Sequence, residues 1–387
     1  MRTFVLGAGA SYPIYPLGGS LLKCIGDYIK SCRRCFDRFD YEKAWPGTLK
    51  WLEDNPDPLL REAYRTGNIE QIFTVLDLSQ SLYEGSLDGI WHVRKDGPAA
   101  VSSTEQAFEK LKTELATYQE TQRILLRATE AYFQHRHEED QTRSQSEEWG
   151  TLRTFAEKLQ KHDVIVTFNY DSTIERVLYE QGKWSPKDGY GTDLVFQRGH
   201  RDSSPVDFPA SPVKVLHLHG AIGWYTKPVF GEDFAPPSDG AGAVPREAFT
   251  PALLPTEISL APSLLQGFGI SAVDASMPTA PPDEYQILLH PSFLKDYAGA
   301  NDGTAIFRRI WKLASERLRD AEKVVVVGYS LPPADTAAWV LLLATCDGAK
   351  TEIVNPDRTV MARYRRMLHT PSLFEKPRSF QEWVKHL

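Results

Sequence analysis

Residues 3–11 read Thr3-Phe4-Val5-Leu6-Gly7-Ala8-Gly9-Ala10-Ser11. A short apolar run passes straight into glycine, alanine and serine. An apolar run without alternation is buried on both faces, the mark of a parallel strand in a covered sheet. The same shape recurs far along the chain. Residues 164–171 read Val-Ile-Val-Thr-Phe-Asn-Tyr-Asp, and residues 215–220 read Val-Leu-His-Leu-His-Gly. Val324 to Val327 leads into Gly328-Tyr329-Ser330-Leu331-Pro332, and Thr351 to Val354 leads into Asn355-Pro356-Asp357. Each run delivers a loop at the carboxyl end of a strand, where open α/β sheets bind their ligands. The expected fold is therefore α/β: a Rossmann-like parallel sheet with helices on both faces, plus a helical insertion.

Working outward, the pattern predicts strands at 2–6, 163–167, 213–218 and 351–354. Helices are expected at 18–30, 149–161, 172–182, 303–320, 335–346, 358–368 and 380–386. Pro13 and Pro16 stop a regular helix from starting straight after the glycines, so the first loop should be long. Residues 31–147 carry no strong strand signal and read as a helical insertion subdomain between 1–30 and 148–387, the two parts of the main domain. Within it, Ile69, Ile72, Phe73, Val75, Leu76 and Leu78 recur at helical spacing. A long helix over 104–136 carries Phe108, Leu111, Leu115, Tyr118, Leu125, Leu126, Ala128 and Phe133. Its apolar stripe must be buried somewhere, so a packing or subunit surface and a homo-oligomer are expected. The polar stretch 137–148 reads as an exposed connector. Residues 230–283, rich in Pro, Gly, Ser and Ala, read as a loop or lid within the main domain.

Composition limits the function classes. The 387 residues are 42% hydrophobic and 25% charged, as in ordinary globular proteins. A formal charge of −7 argues against a broad surface for direct nucleic-acid binding. No run approaches the ~20 apolar residues that span a bilayer. The first apolar run is too short for a signal-peptide core, so no membrane association and a cytoplasmic location are expected. The four cysteines are Cys24, Cys32, Cys35 and Cys346. Cys32 and Cys35 have the spacing of half a zinc site, but no second pair follows, so they are read as reduced thiols and no zinc is expected.

Three loops carry chemistry. Gly7, Ala8, Gly9 and Ala10 would let backbone N–H groups approach a pyrophosphate, and Ser11 adds a hydroxyl. The third glycine of the dinucleotide fingerprint is absent, so a tight strand-to-helix turn is the alternative. Asn169 can hydrogen-bond a water or a ribose hydroxyl, and Asp171 can orient it or cap the following helix. His217 and His219 point to the same side of a strand. His219, beside Gly220 at the tip, suits a general base, and His217 suits a buried structural role. Gly328, Tyr329, Ser330 and Asn355 end two further strands and fit ribose or adenine-side contacts, with turn formation as the alternative.

The order Gly-Ala-Gly-Ala-Ser, Thr-Phe-Asn-Tyr-Asp, His-Leu-His-Gly, Gly-Tyr-Ser-Leu-Pro-Pro-Ala-Asp and Val-Asn-Pro-Asp resembles the sirtuin superfamily. It looks most like the sirtuin-like domains of bacterial antiphage defence systems. The resemblance covers residues 1–30 and 160–365. It implies binding of NAD by Gly7, Gly9 and Ser11, placement of Asn169 and Asp171 around the nicotinamide ribose, and His219 as base. Protein-deacylating sirtuins carry two CxxC pairs after the His-Gly motif, and none follows His219, so a deacylase is not expected. The expected activity is an NAD glycohydrolase releasing nicotinamide and ADP-ribose, with NAD as substrate and depletion of NAD as the outcome. A HerA-type hexameric ATPase is the partner that the resemblance implies. The alternative is a non-catalytic NAD or ADP-ribose sensor that regulates a partner. A nuclease would need a carboxylate metal cluster, which the sequence does not offer.

Overall fold

A computed structural model describes residues 1–31, 41–96, 101–143, 147–191, 209–226, 259–260, 285–288, 305–332, 335–346, 350–368 and 377–387. Cys32, Cys35 and all of the 230–283 stretch except Ser259–Leu260 lie outside these residues.

Five parallel strands form the main sheet: β1 (Arg2–Leu6), β2 (Val164–Thr167), β3 (Lys214–His217), β7 (Lys323–Val327) and β8 (Thr351–Val354). Their order is β3-β2-β1-β7-β8. Counted within this sheet alone, that is the 3-2-1-4-5 order of a doubly wound Rossmann-like fold. Leu6 pairs with Thr167 on one side and with Val327 on the other, so the three loops that follow leave the sheet at one level. Thr167 pairs in turn with His217. The chain direction across the sheet reverses between β1 and β7, where the crevice of such folds lies.

Successive residues of β1 show that both faces are covered. On one face the Phe4 ring lies 5.2 Å from Phe155 and 6.4 Å from Trp383. These belong to α7 (Glu147–Lys158) and to the last helix, α12 (Phe380–Val384). On the other face the Thr3 hydroxyl donates to the carbonyl of Arg317, at 3.1 Å, in α9 (Ala305–Arg319). All four residues of β2 and four of the five in β7 are buried. This is why the sequence shows unbroken Val/Ile runs. At the foot of the sheet Arg2 and Asp163 form an ion pair of 2.5 Å that ties β1 to the turn before β2.

Between β1 and β2 the described chain is helical: α1 (Ala8–Ser11), α2 (Gly18–Ser31), α3 (Tyr41–Asp54), α4 (Pro58–Thr66), α5 (Ile69–Asp96), α6 (Val101–Arg143) and α7. Asp57 accepts from the N–H of Leu59 at the start of α4, and Gly67 at φ 66° ends it. Two expectations are corrected here. The single turn of α1 follows Gly7 directly, and only then do the prolines lead the chain out to α2. The connector foreseen at 137–148 is helical up to Arg143, and α7 starts at Glu147; its Gln, His, Arg and Glu residues are adequate helix formers despite their polarity. Part of the apolar face of α6 is covered inside the chain. Tyr118, Ile124, Leu125, Ala128, Tyr132 and Phe133 are buried, and α6 packs on α5, α2 and α3. The packing expected of the stripe is thus seen for these residues, while Phe108, Leu111, Leu115 and Leu126 are half-buried.

A second sheet was not foreseen. β4 (Gly220–Thr226) pairs antiparallel with β5 (Ser259–Leu260) and β6 (Tyr285–Leu288). It grows directly out of the His-Gly loop. The remaining described helices are α8 (Thr173–Glu180), α10 (Thr336–Thr345) and α11 (Arg358–Leu368). Among the described residues no helix is long and apolar enough to cross a membrane.

Candidate functional site

The loops after β1 and β7 touch through their backbones. The N–H of Gly7 donates to the Val327 carbonyl and that of Gly9 to the Gly328 carbonyl, both at 3.0 Å. A Cβ on Gly7 would lie 2.5 Å from Tyr329 Cα, and one on Gly9 2.8 Å from Gly328 Cα. Gly328 itself sits at φ 62°. These glycines are thus required by the approach of two loops at the switch point. The N–H of Ala10 donates to the Gly7 carbonyl at 2.8 Å. Three amide groups of the expected phosphate cradle therefore serve the protein itself, whereas Ala8 opens α1 at an exposed position.

Asn169 locks the next loop onto this one. Its Nδ2 donates to the Gly7 carbonyl at 3.1 Å and to Ser11 Oγ at 3.0 Å. Both amide hydrogens are thereby used, and the half-buried amide presents Oδ1 as its acceptor. The buried Ser11 hydroxyl in turn hydrogen-bonds Asp171. Asp171 also accepts from the N–H and hydroxyl of Thr173, at 3.2 and 2.5 Å, at the start of α8. Burial raises the Asp171 carboxyl above its ordinary value, although these donors oppose the shift. Asp171 thus organises the loop from behind and holds Thr173, the first residue of α8, from one position before the N-cap Ser172.

His217 is fully buried. Its Nδ1 donates to the Asn169 carbonyl at 3.0 Å, and its Nε2 meets Glu175 Oε1 of α8 in a short hydrogen bond. Burial alone would lower the imidazolium. The Glu175 carboxylate and the Asn169 carbonyl outweigh it, and the net shift is upward. This is the structural role expected of His217, and it fixes the backbone of the Asn169 loop.

His219 stands at the turn between β3 and β4. The residue before it is pinned through both its backbone groups: the Leu218 N–H donates to the Thr167 carbonyl at 2.9 Å, and Trp311 Nε1 donates to the Leu218 carbonyl at 2.8 Å. The His219 ring lies 5.2 Å from Phe168 and 6.0 Å from Tyr170, the two neighbours of Asn169. Its Nε2 is 3.3 Å from Asp335 Oδ2. The same oxygen accepts from the Tyr329 hydroxyl at 2.7 Å. Tyr329 stacks on Phe168 with centroids 4.1 Å apart and planes 9° from parallel. Burial, with Asp335 next, holds the Tyr329 phenol well above its ordinary value, so it remains a donor.

The structure thus gathers Gly7 to Ser11, Asn169, Asp171, His219, Gly328 and Tyr329. Ser330 is exposed, and its carbonyl accepts from Arg363, which also holds the Leu331 carbonyl, at 2.6 and 2.8 Å. That grip secures Leu331 at φ 51°, a sparsely populated conformation for a branched residue. Asn355 stands apart. It follows β8, one strand further out, and its Oδ1 accepts from the Asp357 N–H at 2.9 Å, so the turn alternative applies there.

Sequence reasoning did not assign Asp335, Glu175 or Phe168, nor the contribution of α6. Phe133 of α6 stacks on Tyr15 at 5.4 Å and meets Tyr170 edge-on at 6.4 Å. Arg136 donates to the Ile14 carbonyl at 2.6 Å. Glu70, at the start of α5, and Asp335 add to the burial that raises the Tyr170 phenol. Asp335 was in view as the last residue of the Pro-Pro-Ala-Asp run, but only the fold brings it to His219. In comparisons with known proteins, no family model matches this chain and no curated protein matches it.

Proposed function

We propose that the chain is an NAD hydrolase that splits NAD+ and water into nicotinamide, ADP-ribose and a proton. One observation carries the reading. At the switch point of a 3-2-1-4-5 sheet, the Asn169 amide is bound to the glycine loop, while both its neighbours border the His219 ring. These three loops are among the five motifs that carry the resemblance to sirtuins.

In the reaction, the bond between C1′ of the ribose and the nicotinamide nitrogen breaks, and its electron pair goes to that nitrogen. The ring is cationic before cleavage and leaves neutral, so no general acid is needed. The sugar passes through an oxocarbenium-like state, as in glycoside hydrolysis. A water oxygen bonds to C1′, and its proton goes to the His219 imidazole and then to solvent. Asn169 Oδ1 is the acceptor that orients this water, because the two amide hydrogens are held by Gly7 and Ser11. Phe168, Tyr170 and Tyr329 form an aromatic wall that limits water around the leaving group. Depletion of NAD in defence and a HerA-type ATPase partner are proposals that rest on the resemblance, and assembly of several copies is one that rests on the long α6 helix.

The test is chromatographic release of nicotinamide from NAD+ by the full chain. Asn169→Ala and His219→Ala should each lower turnover by about a hundred- to ten-thousand-fold. Undiminished turnover in both variants would overturn the assignment. Binding of NAD+ with no nicotinamide released would favour the sensor alternative.

A further inference from the structure

Asp335 occupies the N-cap position of α10, where an aspartate ordinarily accepts from a backbone N–H of the first turn. It makes no such side-chain bond. Its carboxylate turns instead toward the sheet, where Oδ2 lies 3.3 Å from His219 Nε2 and accepts from the Tyr329 hydroxyl at 2.7 Å. Asp335 and His219 are both nearly inaccessible, at 3% and 5%. A carboxylate oxygen only accepts, so the nitrogen facing it bears the hydrogen. In a neutral imidazole the other nitrogen then carries the lone pair.

We propose that Asp335 is the positioning residue of His219: it holds Nε2–H, makes Nδ1 the nitrogen that takes the proton from water, and is itself restrained by the Tyr329 hydroxyl. This rests on the hydrolase reading for the identity of the substrate, but the arrangement of Asp335, His219 and Tyr329 is independent of it. When Nδ1 gains the proton, the ring becomes an imidazolium, and the carboxylate stabilises that charge without taking the proton over. A buried partner for a transient cation is the common logic of such pairs. The titratable groups around the ring are Asp335 from the start of α10, Tyr329 from the β7 loop and Tyr170 from the β2 loop, with Glu70 of α5 acting on both tyrosines. Phe168 contributes an apolar edge, and its stack on Tyr329 holds the phenol at the right height.

The proposal makes opposite predictions for two variants. Asp335→Asn keeps the shape and removes the charge, so the imidazolium is less favoured. The acid limb of kcat/KM, below which His219 is protonated, should move to lower pH, with turnover reduced about a hundred-fold or more. Tyr329→Phe keeps the stack on Phe168 and removes a donor from the carboxylate, which then attracts the imidazolium more strongly. The limb should move to higher pH. A merely structural role for Asp335 would lower the rate and leave both limbs in place.

The experiment pairs the pH profile of nicotinamide release with ¹⁵N-imidazole spectra of the full chain, His219 being identified by its loss in His219→Gln. The expected spectrum is the Nε2–H tautomer at neutral pH, with a titration midpoint displaced downward by Asp335→Asn and upward by Tyr329→Phe. An Nδ1–H tautomer, or midpoints unmoved by both variants, would overturn the proposal even if NAD+ is cleaved. The expected spectra with no cleavage of NAD+ would uphold the pairing and sink the hydrolase reading instead. If Asp335→Asn does not fold, as judged by its circular dichroism, Tyr329→Phe alone decides by the direction of its shift.

Discussion

Replacing Gly328 by alanine tests whether the glycines at the switch point are required by loop contact. The residue lies at φ 62°, and its added Cβ would stand 2.5 Å from both Ala10 N and Gly9 C. Two penalties combine. A left-handed backbone costs a residue with a Cβ about 1–2 kcal/mol. Forcing an extra carbon into a packed site costs about 1–3 kcal/mol more, and here the obstacle is backbone that cannot swing aside. Gly328→Ala should therefore lose about 2–5 kcal/mol. Gly182 supplies the control. It sits at φ 66° with nothing within 4 Å of its added Cβ. Gly182→Ala pays only the backbone term, about 1–2 kcal/mol. Urea unfolding followed by circular dichroism at one pH measures both variants. If Gly328→Ala is no less stable than Gly182→Ala, the loops are not in the contact described, and the packing account of Gly7 and Gly9 fails with it.

Glu175→Gln should cost about 3–5 kcal/mol, because it leaves a buried imidazole without its counter-charge. The raised His217 imidazolium adds stability that is complete below about pH 6.5, its unfolded value, and is lost as pH rises through the higher folded value. Denaturation of the native chain at several pH values should show this decline and the variant should lack it; a flat native profile would contradict the pairing. Asp171→Ala should lose about 1–3 kcal/mol because it leaves the buried Thr173 donors without their acceptor, whereas Asp171→Asn retains an oxygen acceptor for Thr173 and should lose less. Equal losses in urea unfolding would show that the Thr173 bonds are unimportant. Burial pushes the Cys346 thiol up to about 11, so its alkylation by iodoacetamide, followed by peptide mass, should be slow at pH 8 and quicken steeply toward that value.

The main sheet was legible because its strands are buried on both faces. Val164 to Val166 and Val324 to Val327 leave little else to read, and the helix signals between them complete the alternation. Strand order was not legible, since nothing in Lys323 to Val327 says that it pairs with β1. The antiparallel sheet escaped because β5 has two residues and lies in a stretch whose prolines and glycines read as loop. The Asp57-Pro58 start and Gly67 end of α4 were readable signals that were passed over. At the candidate site, Asn169 and His219 stand out in the sequence because they lie beside strand ends, where ligand chemistry concentrates. Asp335 and Glu175 were missed for the opposite reason. Each opens or sits within a helix, where an acidic residue has an ordinary use, and their distinction is a partner remote in sequence.

Phe133 has a geometric consequence. Its ring is wedged between Tyr15, which belongs to the first loop, and Tyr170, which belongs to the second, while Arg136 one turn on holds the Ile14 carbonyl. The two loops that Asn169 bonds together are thus also braced from one side by a helix of 43 residues, about 65 Å long. A helix is stiff along its axis, so the far end of α6 and the two loops share one mechanical element.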